Sequence, residues 1–275
     1  MIVELKREDF KLCKNLLNRQ SHLEPISVIN GTNPGRVFVD HEQKPTSGIV
    51  WLGNNDGFIF IGNAQNDKFN QALNPFIDQF IVEEAGKVNL HYMEAIGNKR
   101  AWNATLKQVF HMREHSNWNQ RVYTLKNYEY LEKNEPNIDP DYKITQINKD
   151  IFKSHIVNLD YLKEKILESW QSLDDFCDNG IGFCMIADKE IASMCFSNFV
   201  AGNVHCIAIE TLKKYEGNKL AQKVAHAFVK ECFRQKKLPY WDCMEENEAS
   251  IAVAERVGFK PYFQYIGFDI SLSSQ

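Results

Sequence analysis

The residues with the clearest chemical potential lie in one segment, ETLKKYEGNKLAQKVA, residues 210–225. Here an apolar strand runs into Gly217 and then into an amphipathic helix. The first N–H groups of a helix have no acceptors inside the helix. Together with the positive end of the helix dipole, such groups form an anion site that suits a pyrophosphate. The segment therefore predicts a phosphate-binding loop at the start of a helix.

A second chemical pattern is HMREH, residues 111–115, which matches the H-x-x-E-H arrangement of inverted zincins. In that arrangement two histidines one turn apart bind zinc, and the glutamate activates water. The motif needs a long amphipathic helix and a third ligand. SNWNQR follows at once and is typical of a helix end. We therefore predict no metal site, although a zinc peptidase is an alternative that this pattern raises.

The composition limits the classes of protein that the chain can belong to. It has 275 residues, of which 44% are hydrophobic and 25% charged, and its net charge is −4. This length suits one large domain or two ordinary ones, and the apolar fraction supports a packed core. A negative net charge argues against general nucleic-acid binding, which needs a basic surface to neutralise phosphates.

The cysteines and the N-terminus predict a cytoplasmic location. The seven cysteines are odd in number, none form a C-x-x-C pair, and several lie in apolar runs such as IGFCMIA. Reduced core thiols are the expected state. The first residues, MIVELKREDFKLCKNLL, are amphipathic and carry acidic side chains, unlike a signal peptide. No apolar run approaches the ~20 residues that span a membrane, so we expect no membrane partner.

The first half of the chain, residues 1–131, alternates helical and strand patterns and is predicted to be an α/β unit. Helices are predicted over residues 1–20, 66–84 and 99–110, and strands over 36–40, 48–52, 57–62 and 88–93. The polar stretch 132–141 contains two prolines and mixed charges and is predicted to be a linker.

The second half, residues 142–275, has a more regular order. It predicts a strand, two helical segments and a three-stranded antiparallel meander that leads into the phosphate loop. A helix with one apolar face follows, then a strand, a helix capped by Asn247 and ended by Gly258, and a last long strand. The segments that carry this prediction are YKITQI, YLKEKILESW, IGFCMIA, IASMCFSNFV, VHCIAIET, LPYWDC and KPYFQYIGFDI.

This succession resembles the GNAT superfamily of acyl-CoA-dependent N-acyltransferases. The family's phosphate loop, Q/R-x-x-G-x-G/A, aligns with residues 214–219, and NEASIAVAERVGF, residues 247–259, resembles its N-x-x-A-x-x-L-Y-x-x-x-G-F segment. These motifs cover roughly residues 180–270. The resemblance implies an α/β (α+β) fold with a GNAT-like mixed central sheet flanked by helices. The chain also resembles a bacterial group that has an additional α/β half in front. If that half is a second copy of the fold, it is a degenerate one.

The resemblance also implies the chemistry. The chain would move an acetyl group from acetyl-CoA to a primary amine by direct attack, with no metal. The acceptor would be a small molecule or a peptide, and neither its identity nor the oligomeric state can be read from the sequence. The residues expected to contact acetyl-CoA are Ile209, Glu210, Thr211, Lys214, Glu216, Gly217, Asn218, Lys219, Leu220, Ala221 and Asn247.

The same resemblance suggests catalytic residues and one alternative function. Glu210 is the expected general base, acting directly or through water. Ala254 stands where the family often has the tyrosine that protonates the thiolate, so Tyr262 and Tyr265 are the substitute candidates. Lys219 stands where the family prefers glycine or alanine, and Glu216 stands where arginine is common. These three departures leave open an alternative, a catalytically impaired GNAT-fold binding or regulatory module.

Overall fold

A computed structural model of the protein describes residues 2–18, 22–53 and 57–273. The chain forms two compact units, Met1–Gln120 with Gln264–Gln275, and Arg121–Phe263. Each unit contains a mixed sheet flanked by helices, which confirms the predicted α/β class. The predicted linker, residues 132–141, belongs to the second unit, and the last strand runs from the second unit into the first.

The regular elements of the described residues are as follows. The strands are β1 Val3–Glu4, β2 Gly35–Val39, β3 Ser47–Leu52, β4 Gly57–Gly62, β5 Tyr92–Gly97, β6 His115–Thr124, β7 Lys143–Gln146, β8 Gly182–Ala187, β9 Glu190–Ala201, β10 Val204–Thr211, β11 Leu238–Met244 and β12 Lys260–Ser271. The α-helices are α1 Glu24–Ile29, α2 Asp67–Phe76, α3 Val82–Lys87, α4 Ala101–Val109, α5 Leu159–Leu167, α6 Leu173–Asn179, α7 Leu220–Arg234 and α8 Glu248–Val257.

In the first unit the strands follow the order β1-β2-β3-β4-β5-β12. Neighbours are antiparallel except β4 and β5, which run parallel and pair from Gly57 with Glu94 to Phe60 with Gly97. The predicted strands at 36–40, 48–52 and 57–62 are confirmed as β2, β3 and β4. The helix predicted over 66–84 is observed as α2 and α3, joined by a π-helical turn Ile77–Ile81. Pro75, which lacks an N–H donor, lies at the end of α2.

Two predictions for the first unit are wrong. Residues 1–20 do not form one helix: β1 is followed by a 3-10 helix, Arg7–Asn15, and residues 19–20 lie outside the described residues. The strand predicted at 88–93 begins only at Tyr92. The preceding residues complete the end of α3, because the N–H of Leu90 bonds to the carbonyl of Ala85 and Asn89 takes a left-handed φ of 59°.

In the second unit the order is β11-β10-β9-β8-β7, and the predicted antiparallel meander is confirmed as β8, β9 and β10. The two faces of this sheet carry different apolar clusters. Leu162 and Ile166 of α5 pack with Met194 and Phe196 on one face. On the other face α7 and α8 form a cluster with the strands, which includes Val224, Phe228, Trp241 and Phe259. Each strand thus places alternate side chains on opposite faces.

The ends of α8 form as the sequence predicts. The side chain of Asn247 accepts a hydrogen bond from the N–H of Ser250, 2.9 Å away, and so caps the helix. Gly258 ends it with a φ of 113°, a conformation that favours glycine. None of the described helices combines the length and apolar character that crossing a membrane requires.

Candidate functional site

The central feature of the site is a gap between β10 and β11. These parallel strands pair only at their beginnings, the last pair being Cys206 with Tyr240, although β10 continues to Thr211. β9 lies along the other side of β10 as far as the pair Ser193–Thr211. The end of β10 therefore has a neighbour on one side only, and its backbone groups on the other side face open space.

Hydrogen bonding to β9 identifies which backbone groups face the gap. The N–H of Leu212 bonds to the carbonyl of Ala192, 2.9 Å away. In an antiparallel pair, the residues that bond to the partner alternate, so Glu210 also directs its N–H and C=O towards β9. Ile209 and Thr211 direct theirs towards the gap. Ile209 and Thr211, two residues predicted to contact the acyl donor, therefore present backbone donors where β11 has diverged.

The loop between β10 and α7 adds a row of free donors. No acceptor in the described part of the chain meets the N–H groups of residues 217–222. Gly217 has a φ of 80° and Lys219 a φ of 60°, both left-handed. This conformation costs a non-glycine residue roughly 1–2 kcal/mol, which is the physical reason for a glycine preference at position 219. The loop nevertheless keeps its donors exposed with lysine in place.

The gap and the loop open into one cavity of about 700 Å³. Its lining includes nine residues expected at the acyl-donor site, namely Ile209, Glu210, Thr211, Glu216, Gly217, Lys219, Leu220, Ala221 and Asn247. The residues that sequence reasoning missed are Tyr215, Gln222, Glu248, Ala249, Ser250, Ala252, Val253 and Arg256. Most of the missed residues lie on α8, where the 3.6-residue period places one face along the cavity.

Lys214 and Asn218 do not line the cavity. The ammonium of Lys214 forms an ion pair with Glu190, and this hydrogen bond raises the pKa of Lys214. The side-chain amide of Asn218 donates to the carbonyl oxygens of Tyr215, 3.1 Å away, and Glu216, 3.3 Å away. Lys214, at the first position of the phosphate-loop motif, is thus paired with a carboxylate of the protein. Asn218 stabilises the shape of the loop.

The charged lining of the cavity is mixed. Lys219 and Arg256 are its cations, and Glu210, Glu216 and Glu248 are its carboxylates, among the residues described. Side-chain charge alone therefore does not favour an anion. The groups that favour an anion are the free N–H groups of the loop and the positive end of the 15-residue helix α7.

Glu210 points away from α7. Ile209 belongs to the apolar cluster on the α7 face, so the next side chain along β10 projects to the α5 face. There the hydroxyl of Tyr161 in α5 donates a hydrogen bond to Oε1 of Glu210. Burial, and secondly this hydrogen bond, raise the pKa of Tyr161 to about 12. The candidate base and the loop donors thus lie on different faces of the same sheet, with the gap between them.

The other candidate catalytic residues lie elsewhere. Tyr262 is exposed on β12 and contacts the ring of Phe263. The ring of Tyr265 packs against His22 and Trp118. Neither tyrosine is among the cavity-lining residues in the part of the chain described, and Ala254 is fully buried in the α7–α8 cluster.

Residues 111–115 do not form the helical arrangement that the zinc-peptidase alternative requires. Helix α4 ends at Val109, and His115 is the first residue of β6, so His111 and His115 do not lie one turn apart on a helix. Within residues 2–18, 22–53 and 57–273, no cluster of His, Cys, Asp and Glu side chains is arranged to hold a metal ion. The segment SNWNQR, predicted to end a helix, is a strand instead.

The second unit thus combines a mixed sheet, one pair of parallel strands that diverge, and a donor-rich loop at the start of a helix. The family model for GNAT acetyltransferase matches residues 14–268. The chain belongs to the GNAT acetyltransferase family.

Individual relatives agree with this family. The uncharacterized N-acetyltransferase YdfB of Bacillus subtilis is 28% identical over 243 residues, which cover 87% of each chain. A GCN5-related N-acetyltransferase-like protein from Streptococcus suis has a TM-score of 0.71 at 18% identity, covering 96% of this chain and 98% of that one. A tandem GNAT protein from the clavulanic acid biosynthesis pathway has a TM-score of 0.64 at 11% identity, covering 100% and 99%. At these identities the two structures establish similarity of fold, including a fold of two GNAT halves.

Proposed function

We propose that the protein transfers the acetyl group of acetyl-CoA to a primary amine. The observation that carries this proposal is that two sets of backbone N–H donors face the same cavity. They are the free N–H groups of residues 217–222 and the gap-facing N–H groups of Ile209 and Thr211. The first set suits a pyrophosphate. The second set lies where a thioester carbonyl would need stabilisation when negative charge develops on its oxygen.

The reaction that this arrangement supports is direct attack. The amine nitrogen forms a bond to the carbonyl carbon of the thioester, and the carbon–sulfur bond breaks to release the thiolate of CoA. Glu210 accepts the proton that the amine loses, since its carboxylate lies beside the gap on the face opposite α7. The thiolate takes its proton from water. A thiol pKa of about 8.5 makes it a good leaving group, so the step does not depend on Tyr262 or Tyr265.

Two cations of the lining supplement the backbone donors. Lys219 follows Gly217 in the loop, and Arg256 lies on α8 across the cavity. Flexible cations of this kind meet phosphate oxygens as additional donors. Asn247 uses its side-chain oxygen to cap α8, so its role at the acyl donor is to hold the start of that helix beside the cavity.

The experiment that tests the function is a turnover assay with acetyl-CoA and a panel of primary amines. Release of free CoA is measured together with the mass of each acceptor. The proposal predicts CoA release that depends on the amine and a product heavier by one acetyl group. CoA release without an acylated amine would contradict it.

The alternative, a GNAT-fold binding or regulatory module, draws on Glu216 in the loop, the left-handed Lys219 and the buried Ala254. It predicts that acetyl-CoA binds, or fails to bind, without any turnover by the amine panel. The same assay with a parallel binding measurement therefore distinguishes the two functions.

A further inference from the structure

Tyr161 has a specific relationship to the candidate base. It lies in the first turn of α5, and its hydroxyl contacts only one oxygen of the Glu210 carboxylate, Oε1. Oε2 has no hydrogen-bond partner among the described residues. The carboxylate therefore has one oxygen held by the protein and one oxygen available to a substrate.

The residues around the pair come from β9 and from the end of β10. Tyr161, Glu210 and Leu212 line a small crevice together with residues 191–194 of β9. On β9, the hydroxyl of Ser193 donates to the carbonyl of Glu210, 3.0 Å away, and contacts the hydroxyl of Thr211 at 2.8 Å. The backbone of the strand end and one side-chain oxygen are thus both fixed, although β11 has diverged.

The charged groups that face the pair come from α5 and from Glu168, which caps the C-terminal end of that helix. The ammonium of Lys165 lies 5.8 Å from the centre of the Tyr161 ring and forms an ion pair with Glu168 at 2.8 Å. β9 contributes Ser193 and Met194 to this region, which carry no charge. Burial, and secondly the hydrogen bond to Glu210, raise the pKa of Tyr161 to about 12, so its hydroxyl stays protonated and remains the donor.

We propose that Tyr161 is a positioning residue: its hydroxyl holds Oε1 of Glu210 and so directs Oε2 towards the amine. This inference rests on the proposed function, in which Glu210 is the general base. A donor hydrogen bond stabilises the charged carboxylate. Tyr161 would also hold the carboxylate in one orientation, with Oε2 available to accept the proton of the amine.

The first test measures the carboxylate itself and does not require turnover. The carbon-13 signal of the Glu210 carboxyl is assigned through its loss in Glu210→Gln and is then compared at one neutral pH in the wild-type protein and in Tyr161→Phe. We expect the signal to move in Tyr161→Phe, because the carboxylate loses the hydrogen bond from the phenol. Tyr128→Phe is the control, since Tyr128 is 79% exposed and is not among the residues that line the cavity. An unchanged signal in Tyr161→Phe overturns the inference whether or not the protein is active.

The second test uses turnover. In Tyr161→Phe we expect kcat to fall about tenfold, with the KM for the amine and the affinity for acetyl-CoA within twofold of the wild-type values. A parallel loss of acetyl-CoA affinity would indicate a merely structural role and count against positioning. A moved carbon-13 signal in Tyr161→Phe, together with a wild-type protein that acylates no amine, would leave the Tyr161–Glu210 interaction standing and defeat the proposed function alone.

Discussion

Cys206 of β10 and Tyr240 of β11 are the last paired residues of two parallel strands, and the candidate site begins where their pairing ends. In the first unit the corresponding parallel pair, β4 and β5, remains together up to Phe60 and Gly97. The two units therefore share a strand order but differ in how far their parallel strands stay paired. On this ground the proposed function places the acyl-donor site in the second unit.

Gly217 should be needed for acetyl-CoA, and Gly202 provides a matched control. Both glycines have left-handed φ values, 80° and 63°, and a side chain at either would meet open space. Valine at either position should therefore cost a similar amount of stability, roughly 1–2 kcal/mol. Only Gly217→Val should weaken acetyl-CoA binding, by tenfold or more, because it reshapes the loop that presents the donors. Equal affinities for the two variants by calorimetric titration would contradict the loop assignment.

Arg256 and Lys214 should differ in their contribution to the affinity. Arg256 lines the cavity, whereas Lys214 is paired with Glu190. Arg256→Ala should raise the Kd for acetyl-CoA by about five- to tenfold, the equivalent of about 1 kcal/mol, and reduce its dependence on salt. Lys214→Ala should change the Kd by less than twofold. The reverse ranking would mean that the motif position at 214, rather than α8, supplies the phosphate cation.

Glu210→Gln should separate binding from chemistry. The substitution keeps the shape of the side chain and an oxygen for the Tyr161 hydroxyl, but it removes the proton acceptor. We expect kcat to fall by about a hundredfold or more, with acetyl-CoA affinity nearly unchanged. Glu164→Gln, an exposed change on α5, serves as the control. Wild-type turnover in Glu210→Gln would exclude Glu210 as the base.

His205 should make the second unit sensitive to mild acid. It is fully buried, its Nδ1 lies 2.8 Å from the hydroxyl of Ser197, and burial lowers the pKa of His205 to about 3. Because the folded state keeps the ring neutral while the unfolded state is protonated below pH 6.5, stability is lost as the pH falls through 6.5 towards 3. This group alone contributes a slope of about 1.4 kcal/mol per pH unit.

Urea unfolding between pH 5 and pH 6.5 measures that slope. His205→Asn should reduce it by about one proton relative to the wild-type protein, whereas His111→Gln, at an exposed position, should not. An unchanged slope in His205→Asn would show that the buried ring does not govern the acid response.

The sequence was informative where local patterns decide the structure. The meander, the capped helix α8 and the loop after β10 all follow from alternation, a helix cap and glycine positions that act over a few residues. Most of the expected acyl-donor residues consequently lie around one cavity. The strand at His115–Thr124 escaped prediction because its residues are polar and mostly half-buried or exposed, so they show no apolar alternation.

Arg256 and Tyr161, two of the site residues that the sequence did not predict, differ in whether a local pattern could have found them. Arg256 lies on the cavity face of α8 by helical period, and its spacing from Ala249 and Val253 was a usable signal once a cavity was assumed. Tyr161 had no such signal. Its role arises from a contact with Glu210, which lies 49 residues further along the chain. Patterns within a single sequence do not encode contacts over such a separation. The divergence of β10 and β11 is likewise a property of the assembled sheet.

The most direct measurement is a calorimetric titration of acetyl-CoA into the purified protein. We expect binding in the micromolar range with a stoichiometry of one per chain, since only the second unit has a gap between its parallel strands among the residues described. Absence of binding up to millimolar acetyl-CoA would rule out the proposed acyl-donor site, and two equivalent sites per chain would contradict its placement in the second unit.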